Sequence, residues 1–307
     1  MAEQCISVIV PTYQRAKLLN MTLPSYLQPE TYELIVVDDC SQDTTAKVVH
    51  EIAARDSRVR YIKSPRNLKQ PHAKNMGIAE ARAPYVYFGD DDSILLAGSL
   101  ANLLETMKNN NADIVGARAP YMIDRTQIAD AERLFSLVHV KSSLEARWQT
   151  IINPFTLQAH FDRAVSIPIQ VPFTHAAFLV SRSLAADIQF DEYYTGNCFR
   201  EETDFLIRAY AKGAQIWYDS RAVQVNLPRS YAEGGAHTGS KHFVVRKLQY
   251  FSSALRNNWR FLIKNHEALA QATGINVPPV VRQSMFFAEV CKIILSYPLR
   301  KVIGREF

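Results

Sequence analysis

The first 117 residues alternate short apolar runs with segments of helical periodicity. The apolar runs lie at 6–10, 34–37, 59–62, 85–88 and 114–115. Short runs of this kind predict strands that are buried on both faces, as in a parallel sheet. Between them, apolar residues recur at helical spacing over about 15–27, 44–52, 72–81 and 96–107. The alternation predicts βαβ units that form an α/β domain with an open, mostly parallel central sheet flanked by helices.

The rest of the chain divides into three stretches. Residues 118–172 are less regular, and we expect a loop-rich segment there that lies over the edge of the sheet. Closing strands are predicted at 216–218 and 223–225, and the three glycines of 229–242 predict a loop. Helical spacing returns from about 243 onward. We therefore expect one domain over 1–228, with halves at about 1–117 and 118–228, followed by a loop and a C-terminal helical region over 229–307.

Polar residues concentrate at the carboxyl ends of three predicted strands. The clusters are Pro11-Thr12-Tyr13, Asp38-Asp39 and Asp90-Asp91-Asp92. In a parallel sheet these ends lie along one edge, where the ligands of such folds bind. Adjacent carboxylates repel one another, but they suit a hard cation such as Mn²⁺ or Mg²⁺, whose other ligands are usually substrate phosphates. A solvated acidic turn would explain one such cluster, whereas two acidic clusters at one edge favour a metal and a nucleotide.

Composition narrows the class of protein. The formal net charge of +5 fits an anionic substrate or an anionic membrane surface and is too small to indicate nucleic acid. The four cysteines have no metal-ligand spacing, so we expect free thiols in a reducing compartment. No secretory signal and no apolar stretch long enough to span a membrane are visible. We therefore expect a cytoplasmic protein.

Three motifs resemble the successive signatures of family 2 glycosyltransferases of the GT-A fold. They are SVIVPTYQR at 7–15, IVVDDCS at 35–41 and FGDDD at 88–92. The resemblance covers roughly residues 5 to 226, and it does not specify the donor or the acceptor sugar. It implies a Rossmann-like GT-A domain with a C-terminal helical extension.

The resemblance also implies a site for a nucleotide-sugar. Pro11, Thr12, Tyr13 and Arg15 belong to the first motif, where Pro11 and Tyr13 would line the nucleoside pocket. Asp39 would accept a hydrogen bond from a uracil N–H, with capping of the following helix as the alternative role of the Asp pair.

Further along the chain, Lys74 stands where the family often has arginine. It would reach a uracil carbonyl or a phosphate, and a solvated helical lysine is the alternative. Asp92 is our choice for the metal ligand, with Asp90 or Asp91 toward the ribose.

The catalytic base is expected at Arg200-Glu201-Glu202-Thr203-Asp204. The family has an acidic element here whose second carboxylate is the base of inverting enzymes, and this position corresponds to Glu202, or to Glu201 with a shifted register. The alternative is structural, because carboxylates are favoured in a first helical turn and Asp204 can pair with Arg208. His237, in the predicted loop, would add a metal ligand, and His175 is either a core residue or an acceptor-site residue.

These expectations combine into an inverting, metal-dependent glycosyltransferase that uses a UDP-sugar and a saccharide or lipid-linked acceptor. A nucleotidyltransferase is an alternative, although residues 11–17 lack the glycine-rich phosphate loop that such enzymes typically have. A non-catalytic nucleotide-sugar-binding subunit is another. The end of the chain mixes apolar and basic residues, which predicts either peripheral attachment to the inner face of a membrane, with a break at Pro298, or a contact between copies of the chain.

Overall fold

The computed structural model describes residues 3–122, 147–228 and 243–302. Within these residues, nine strands form one sheet. In chain order they are β1 (Ile6–Thr12), β2 (Thr31–Asp38), β3 (Val59–Lys63), β4 (Tyr85–Phe88), β5 (Ser93–Leu95), β6 (Ile114–Arg118), β7 (Ile169–Gln170), β8 (Phe178–Ser181) and β9 (Ile216–Asn226).

The spatial order of the strands is β3-β2-β1-β4-β8-β6-β9-β5, and β7 pairs with β9. Strands β1 to β4 are parallel, as the sequence predicts. Strand β8 runs antiparallel to both of its neighbours, β4 and β6, so β6 and its parallel partner β9 share the direction of β1. The α/β fold with a mostly parallel sheet is therefore confirmed. The carboxyl ends of β1, β2 and β4 form one edge.

Helices cover both faces of the sheet and continue past its last strand. They are α1 (Ala16–Thr22), α2 (Thr45–Ala53), α3 (Lys69–Glu80), α4 (Ser99–Asn109), α5 (Arg182–Ile188), α6 (Glu201–Ala211), α7 (Phe243–Lys264), α8 (His266–Thr273) and α9 (Pro279–Val302). The C-terminal helical region is thus confirmed. No helix in the described ranges is both long and apolar enough to cross a membrane.

Side chains of each central strand alternate between two cores. Val8 and Val10 of β1 belong to the core under α1, α2 and α4, whereas Ile9 belongs to the core under α3, α5 and α6. Successive side chains of a strand point to opposite faces, so a strand covered on both sides must be apolar throughout. The uninterrupted apolar runs of the sequence therefore reflect a sheet buried between two helical layers.

Three local expectations are corrected by the structure. The helix expected over 15–27 is α1 followed by a 3₁₀ turn at Leu23–Tyr26, where Pro24 lies at the start of the turn. The two closing strands are one strand, β9, which stays continuous although its register against β6 shifts between Ala117 and Arg118. The break expected at Pro298 is absent, because α9 continues to Val302.

Candidate active site

The ends of β1 and β2 are joined by backbone hydrogen bonds. The Thr12 carbonyl accepts from the Asp39 N–H at 2.9 Å, and the Gln14 N–H donates to Ser41 Oγ at 2.8 Å. Thr12 is buried, whereas Pro11 and Tyr13 are half-buried. Tyr13 and Asp39 therefore lie next to each other at the edge of the sheet, where the sequence predicts the nucleoside pocket.

The two carboxylates that end β2 have different partners. Asp38 is buried and accepts from the Ser41 N–H at 2.8 Å and from the Tyr61 hydroxyl at 2.6 Å, so its role is structural. Asp39 accepts from the N–H groups of Leu68 and Lys69 at 2.7 and 2.8 Å. Burial raises the pKa of Asp39, although these two hydrogen bonds oppose the rise. Asp39 thus fixes the start of α3, not that of α2, which follows it in sequence.

The three carboxylates after β4 are held from both sides. Asp90 Oδ2 accepts from Gln224 Nε2 at 3.0 Å. The buried Arg15 lies between the other two, with Nε 3.7 Å from Asp91 Oδ1 and Nη2 3.2 Å from Asp92 Oδ2. The side chain of Asp92 is 30% exposed, compared with 12% for Asp91, so Asp92 offers the more accessible oxygens.

Burial raises the pKa values of Asp90 and Asp91 to about 7. The charge of Asp92 adds to both rises, while Lys74 opposes the shift at Asp90 and Arg15 opposes it at Asp91. Each Asp in this cluster therefore repels the others, and a cation bound among them would relieve that repulsion.

The donor atoms of this cluster suit Mn²⁺ or Mg²⁺. All of them are carboxylate oxygens, which such metals prefer. Among the described residues, no group of three His, Cys, Asp or Glu side chains forms a complete metal cage. A full cage is not required, since Mg²⁺ usually takes one or two carboxylates and fills its remaining positions with water and phosphate oxygens. His237, the other predicted ligand, lies outside the described residues.

Helix α6 brings a second acidic pair to this edge. Arg200 has a left-handed backbone with φ of 75°, and the chain then enters α6 with Glu201 and Glu202 in the first turn. Glu201 is 1% exposed, and the side chain of Glu202 is 21% exposed. The helix dipole favours carboxylates at this position, but it does not explain why one of them is buried.

Lys74 of α3 supplies the counter-charge. Its Nζ lies 2.7 Å from Glu202 Oε1 and 3.0 Å from Glu201 Oε1, and 4.9 Å from the centre of the Phe190 ring. Burial alone would lower the pKa of this ammonium group, but the charges of Glu201 and Glu202 raise it. The alternative of a solvated helical lysine is wrong, because Lys74 is fully buried.

The two glutamates differ in the direction of their pKa shifts. Burial raises the pKa of Glu201 well above its usual range, and the charge of Lys74 only partly offsets this. Burial would also raise the pKa of Glu202, but the charge of Lys74 and hydrogen bonds from Glu201 and Lys74 lower it. Of the two, Glu202 is therefore the carboxylate whose surroundings favour the ionised form, and it is also the partly exposed one.

His175 lies near the same pair. Burial lowers its pKa to about 4, against the opposing charge of Glu202, so the imidazole is neutral at pH 7. Its Nδ1 accepts from the Ala177 N–H at 3.4 Å, and its ring centre is 6.3 Å from that of Phe161. A neutral imidazole next to a partly exposed carboxylate can hydrogen-bond a sugar hydroxyl.

The sequence reasoning missed Gln224 of β9. This side chain is fully buried, and its Oε1 accepts from the Tyr87 hydroxyl at 2.9 Å and the Tyr26 hydroxyl at 3.3 Å. Through its Nε2 it also holds Asp90. The sequence did contain a signal, because Gln224 lies between Val223 and Val225 in an apolar run. A strand with a purely apolar environment would not contain a side-chain amide at this position.

Asp204, two residues after Glu202, connects α6 to the C-terminal helices. Its Oδ2 accepts from Arg208 Nε at 2.7 Å, which confirms the predicted pair, and from Lys264 Nζ at 3.0 Å. Its Oδ1 accepts from Asn265 Nδ2 at 2.8 Å and from the Tyr194 hydroxyl at 3.2 Å. The orientation of α6 is therefore fixed from the side away from the sheet.

Comparison with known proteins places this geometry in context. Residues 7–183 match the family model described as Glycosyl transferase family 2. A 115-residue segment is 36% identical to the GalNAc(5)-diNAcBac-PP-undecaprenol beta-1,3-glucosyltransferase of Campylobacter jejuni, covering 36% of this chain and 37% of that protein. A 172-residue segment is 28% identical to the putative teichuronic acid biosynthesis glycosyltransferase TuaG of Bacillus subtilis, covering 54% and 66%.

The structural comparison extends over most of the chain. A crystal structure of Staphylococcus aureus TarS in complex with UDP-GlcNAc superposes with a TM-score of 0.54 at 15% identity, covering 92% of each chain. At this identity the likeness establishes the fold alone. The sequence match to the Campylobacter jejuni relative spans little more than a third of that protein.

Proposed function

The chain belongs to glycosyl transferase family 2, and we propose that it is an inverting glycosyltransferase that moves a sugar from a UDP-sugar to a hydroxyl acceptor. One observation carries the proposal. The sheet edge that holds Asp39 and the Asp90-Asp91-Asp92 cluster also holds, through Lys74, the ionised carboxylate of Glu202. The residues that we propose for donor binding and the residue that we propose as the base thus lie close together, although they are far apart in sequence.

The donor would lie along the ends of β1, β2 and β4. Tyr13 offers a partly exposed ring for the base, and Asp39 offers a carboxylate next to it. The buried guanidinium of Arg15, next to Asp91 and Asp92, supplies positive charge where a diphosphate would lie. The UDP-GlcNAc complex of TarS, whose fold this chain shares, supports a UDP-sugar as the donor.

Asp92 would hold Mn²⁺ or Mg²⁺, which when bound neutralises negative charge on the departing diphosphate. Glu202 accepts the proton of the acceptor hydroxyl while the acceptor oxygen forms a bond to the anomeric carbon. The bond from that carbon to the diphosphate oxygen breaks on the opposite face, and UDP leaves with the electron pair. Glu202 is proposed in preference to Glu201 because its side chain is 21% exposed and its pKa is lowered, whereas Glu201 is 1% exposed and burial raises its pKa.

The acceptor we propose is a saccharide, either free in a glycan or linked to a lipid. Two relatives support this, since one is a glucosyltransferase named for an undecaprenol-linked saccharide and the other is the putative teichuronic acid biosynthesis glycosyltransferase TuaG. His175 would contact the acceptor, because it lies near Glu202.

We also propose that α7 and α9 attach the protein to an anionic membrane. Helix α7 carries five Lys and Arg and no Asp or Glu. Its outward face exposes Leu248 by 61% and Trp259 by 39%, and α9 exposes Phe287 by 53% and Leu295 by 77%. Exposed apolar side chains on a basic helix are typical of helices that lie in a lipid interface.

Vesicle co-sedimentation tests the membrane proposal. The protein should bind vesicles that contain phosphatidylglycerol and not vesicles of phosphatidylcholine alone. The double variant Leu248→Ser, Trp259→Ser should lose binding, whereas Ile167→Ser, which changes an equally exposed residue elsewhere, should retain it. Vesicle binding by the double variant equal to that of Ile167→Ser would refute the proposal, and a wild-type dimer that the double variant disrupts would instead favour a contact between copies of the chain.

A thermal-shift screen of nucleotide-sugars with Mn²⁺ or Mg²⁺ tests the main proposal, because a ligand that binds only the folded state raises its melting temperature. Asp92→Asn should abolish transfer and weaken donor binding. Glu202→Gln should abolish transfer and leave donor binding nearly intact. Near-normal turnover by Glu202→Gln would refute the base assignment. Pyrophosphate release from a nucleoside triphosphate would indicate a nucleotidyltransferase, and donor binding without turnover would indicate a binding subunit.

A further inference from the structure

Lys74 is positioned to act on the base and not only on the donor. Its Nζ lies 2.7 Å from Glu202 Oε1, the distance of a charge-assisted hydrogen bond. The next residue fixes the helix that carries it, since Asn75 Nδ2 donates to the Phe190 carbonyl at 2.9 Å and the Phe190 N–H donates to Asn75 Oδ1 at 2.8 Å. Phe190 in turn places its ring 4.9 Å from Nζ. The ammonium group is therefore confined on the side away from the carboxylates.

The charges around Glu202 come from several elements. Lys74 faces it from α3, Asp90 from the end of β4, His175 from the segment before β8, and Glu201 and Cys198 from its own end of α6. At neutral pH His175 is uncharged, and burial favours the protonated form of Glu201. Of these neighbours, Lys74 is the cation, and it is wholly excluded from solvent.

We infer that Lys74 is the positioning residue of the base, which pairs with the Glu202 carboxylate at 2.7 Å and orients it toward the acceptor. This inference rests on the proposed function, and it gives Lys74 a different role from contact with uracil or phosphate. It also accounts for the burial of a lysine, since a buried ammonium group is tolerated only when it is paired.

Two substitutions separate charge from hydrogen bonding. Lys74→Gln removes the charge and keeps an N–H donor for Glu202, whereas Lys74→Met removes both with little change in side-chain length. Lys74→Arg keeps the charge. Lys47→Met is the matched control, because the Lys47 side chain is 76% exposed and pairs only loosely with Glu51 at 4.0 Å.

The acid limb of the pH profile of kcat/KM reports the ionisation of an essential base in the free enzyme. Without the charge of Lys74, burial and the remaining carboxylates raise the pKa of Glu202. The acid limb of Lys74→Gln and Lys74→Met should then shift to higher pH by about one unit or more. At a pH below the acid limbs of both wild type and variant, kcat/KM of the variant should be lower by about tenfold. Lys74→Arg and Lys47→Met should keep the wild-type limb, and UDP affinity should change less than about threefold in Lys74→Gln.

A Lys74→Gln enzyme with an unmoved acid limb and strongly weakened UDP binding would overturn the inference and make Lys74 a donor-binding residue. Urea unfolding gives a readout that needs no turnover. In the wild type, the lowered pKa of Glu202 adds stability that is present above pH 4.5 and is lost as the pH falls. In Lys74→Gln the pKa of Glu202 is raised instead, so ionisation of Glu202 costs stability as the pH rises. The difference in unfolding free energy between wild type and Lys74→Gln should therefore grow from pH 5 to pH 8, and a difference that does not change with pH would also overturn the inference. Absence of transfer in the wild type would instead count against the proposed function.

Discussion

Asp204→Asn should destabilise the protein by about 2–4 kcal/mol, a large effect for an isosteric change. The Asp204 carboxylate is fully buried and accepts four hydrogen bonds. The Asn amide retains one acceptor oxygen, which can still bind Tyr194 and Asn265. Its NH₂ group then faces Arg208 Nε and Lys264 Nζ, which are both donors, so two charge-assisted hydrogen bonds are lost.

The expected destabilisation depends on the loss of these two hydrogen bonds and on whether Arg208 and Lys264 keep other partners. A hydrogen bond to a charged group contributes about 1.5–3 kcal/mol, which gives an upper limit of about 6 kcal/mol for the pair. The side chains of Arg208 and Lys264 are 24% and 32% exposed, so water can solvate them. Arg208 also keeps the Ile188 and Gln189 carbonyls, and Lys264 keeps Asp191 at 2.7 Å. Neither cation is stranded, and the cost is therefore reduced.

Equilibrium unfolding in urea measures this difference, and Asp187→Asn is the matched control. Asp187 pairs with Lys212 at 2.6 Å, but its side chain is 59% exposed. A surface pair of this kind contributes about 0–1 kcal/mol. A destabilisation of Asp204→Asn below about 1 kcal/mol with an unchanged m-value would refute the reasoning, because the buried network would then contribute no more than an exposed ion pair.

Three further changes test other parts of the structure. Gly116→Ala should destabilise by about 1–3 kcal/mol in urea unfolding, since its Cβ would lie 1.7 Å from Thr174 Oγ1, and adding Thr174→Gly should recover most of the loss. Between pH 7 and pH 5, His175→Asn should lose less unfolding free energy than the wild type. Burial lowers the pKa of His175 to about 4 in the folded protein, so the wild type is destabilised as the pH falls below the higher pKa of this histidine in the unfolded chain. Gln224→Leu should destabilise by about 1–3 kcal/mol in the same assay and weaken donor binding, since it removes the acceptor of the buried Tyr87 hydroxyl and releases the Asp90 side chain.

The first half of the fold was predictable because its signals are local. Apolar runs such as 6–10 and 34–37 are strands covered on both faces, although β1 continues through Pro11 to Thr12 and β2 begins at Thr31, before its apolar run. The rule that parallel strands end at one edge then places Tyr13 next to Asp39 without further information. The order of β8, β6 and β9 was not predictable in this way, because antiparallel insertion of β8 depends on packing and leaves no local mark.

The partners of the candidate site were predictable only where they are neighbours in sequence. The Asp204–Arg208 pair follows from helical spacing, and the structure confirms it. The contacts of Lys74 with Glu202 and of Gln224 with Asp90 join residues 128 and 134 positions apart. A lysine on a helix and a glutamine in a strand resemble surface residues until the fold buries them, so their roles are visible only in three dimensions.

The C-terminal helices help to hold the proposed base in position. The turn that leads into α6 is held from α7, since Ser253 Oγ and Asn257 Nδ2 donate to the Thr195 carbonyl at 2.9 and 2.8 Å. Arg200, the residue before Glu201, donates from Nε to Asn258 Oδ1 at 3.1 Å. The position of Glu202 is thus fixed by Lys74 on the cleft side and by α7 on the opposite side. A displacement of α7 would therefore also move the turn that precedes the carboxylate proposed to accept the proton.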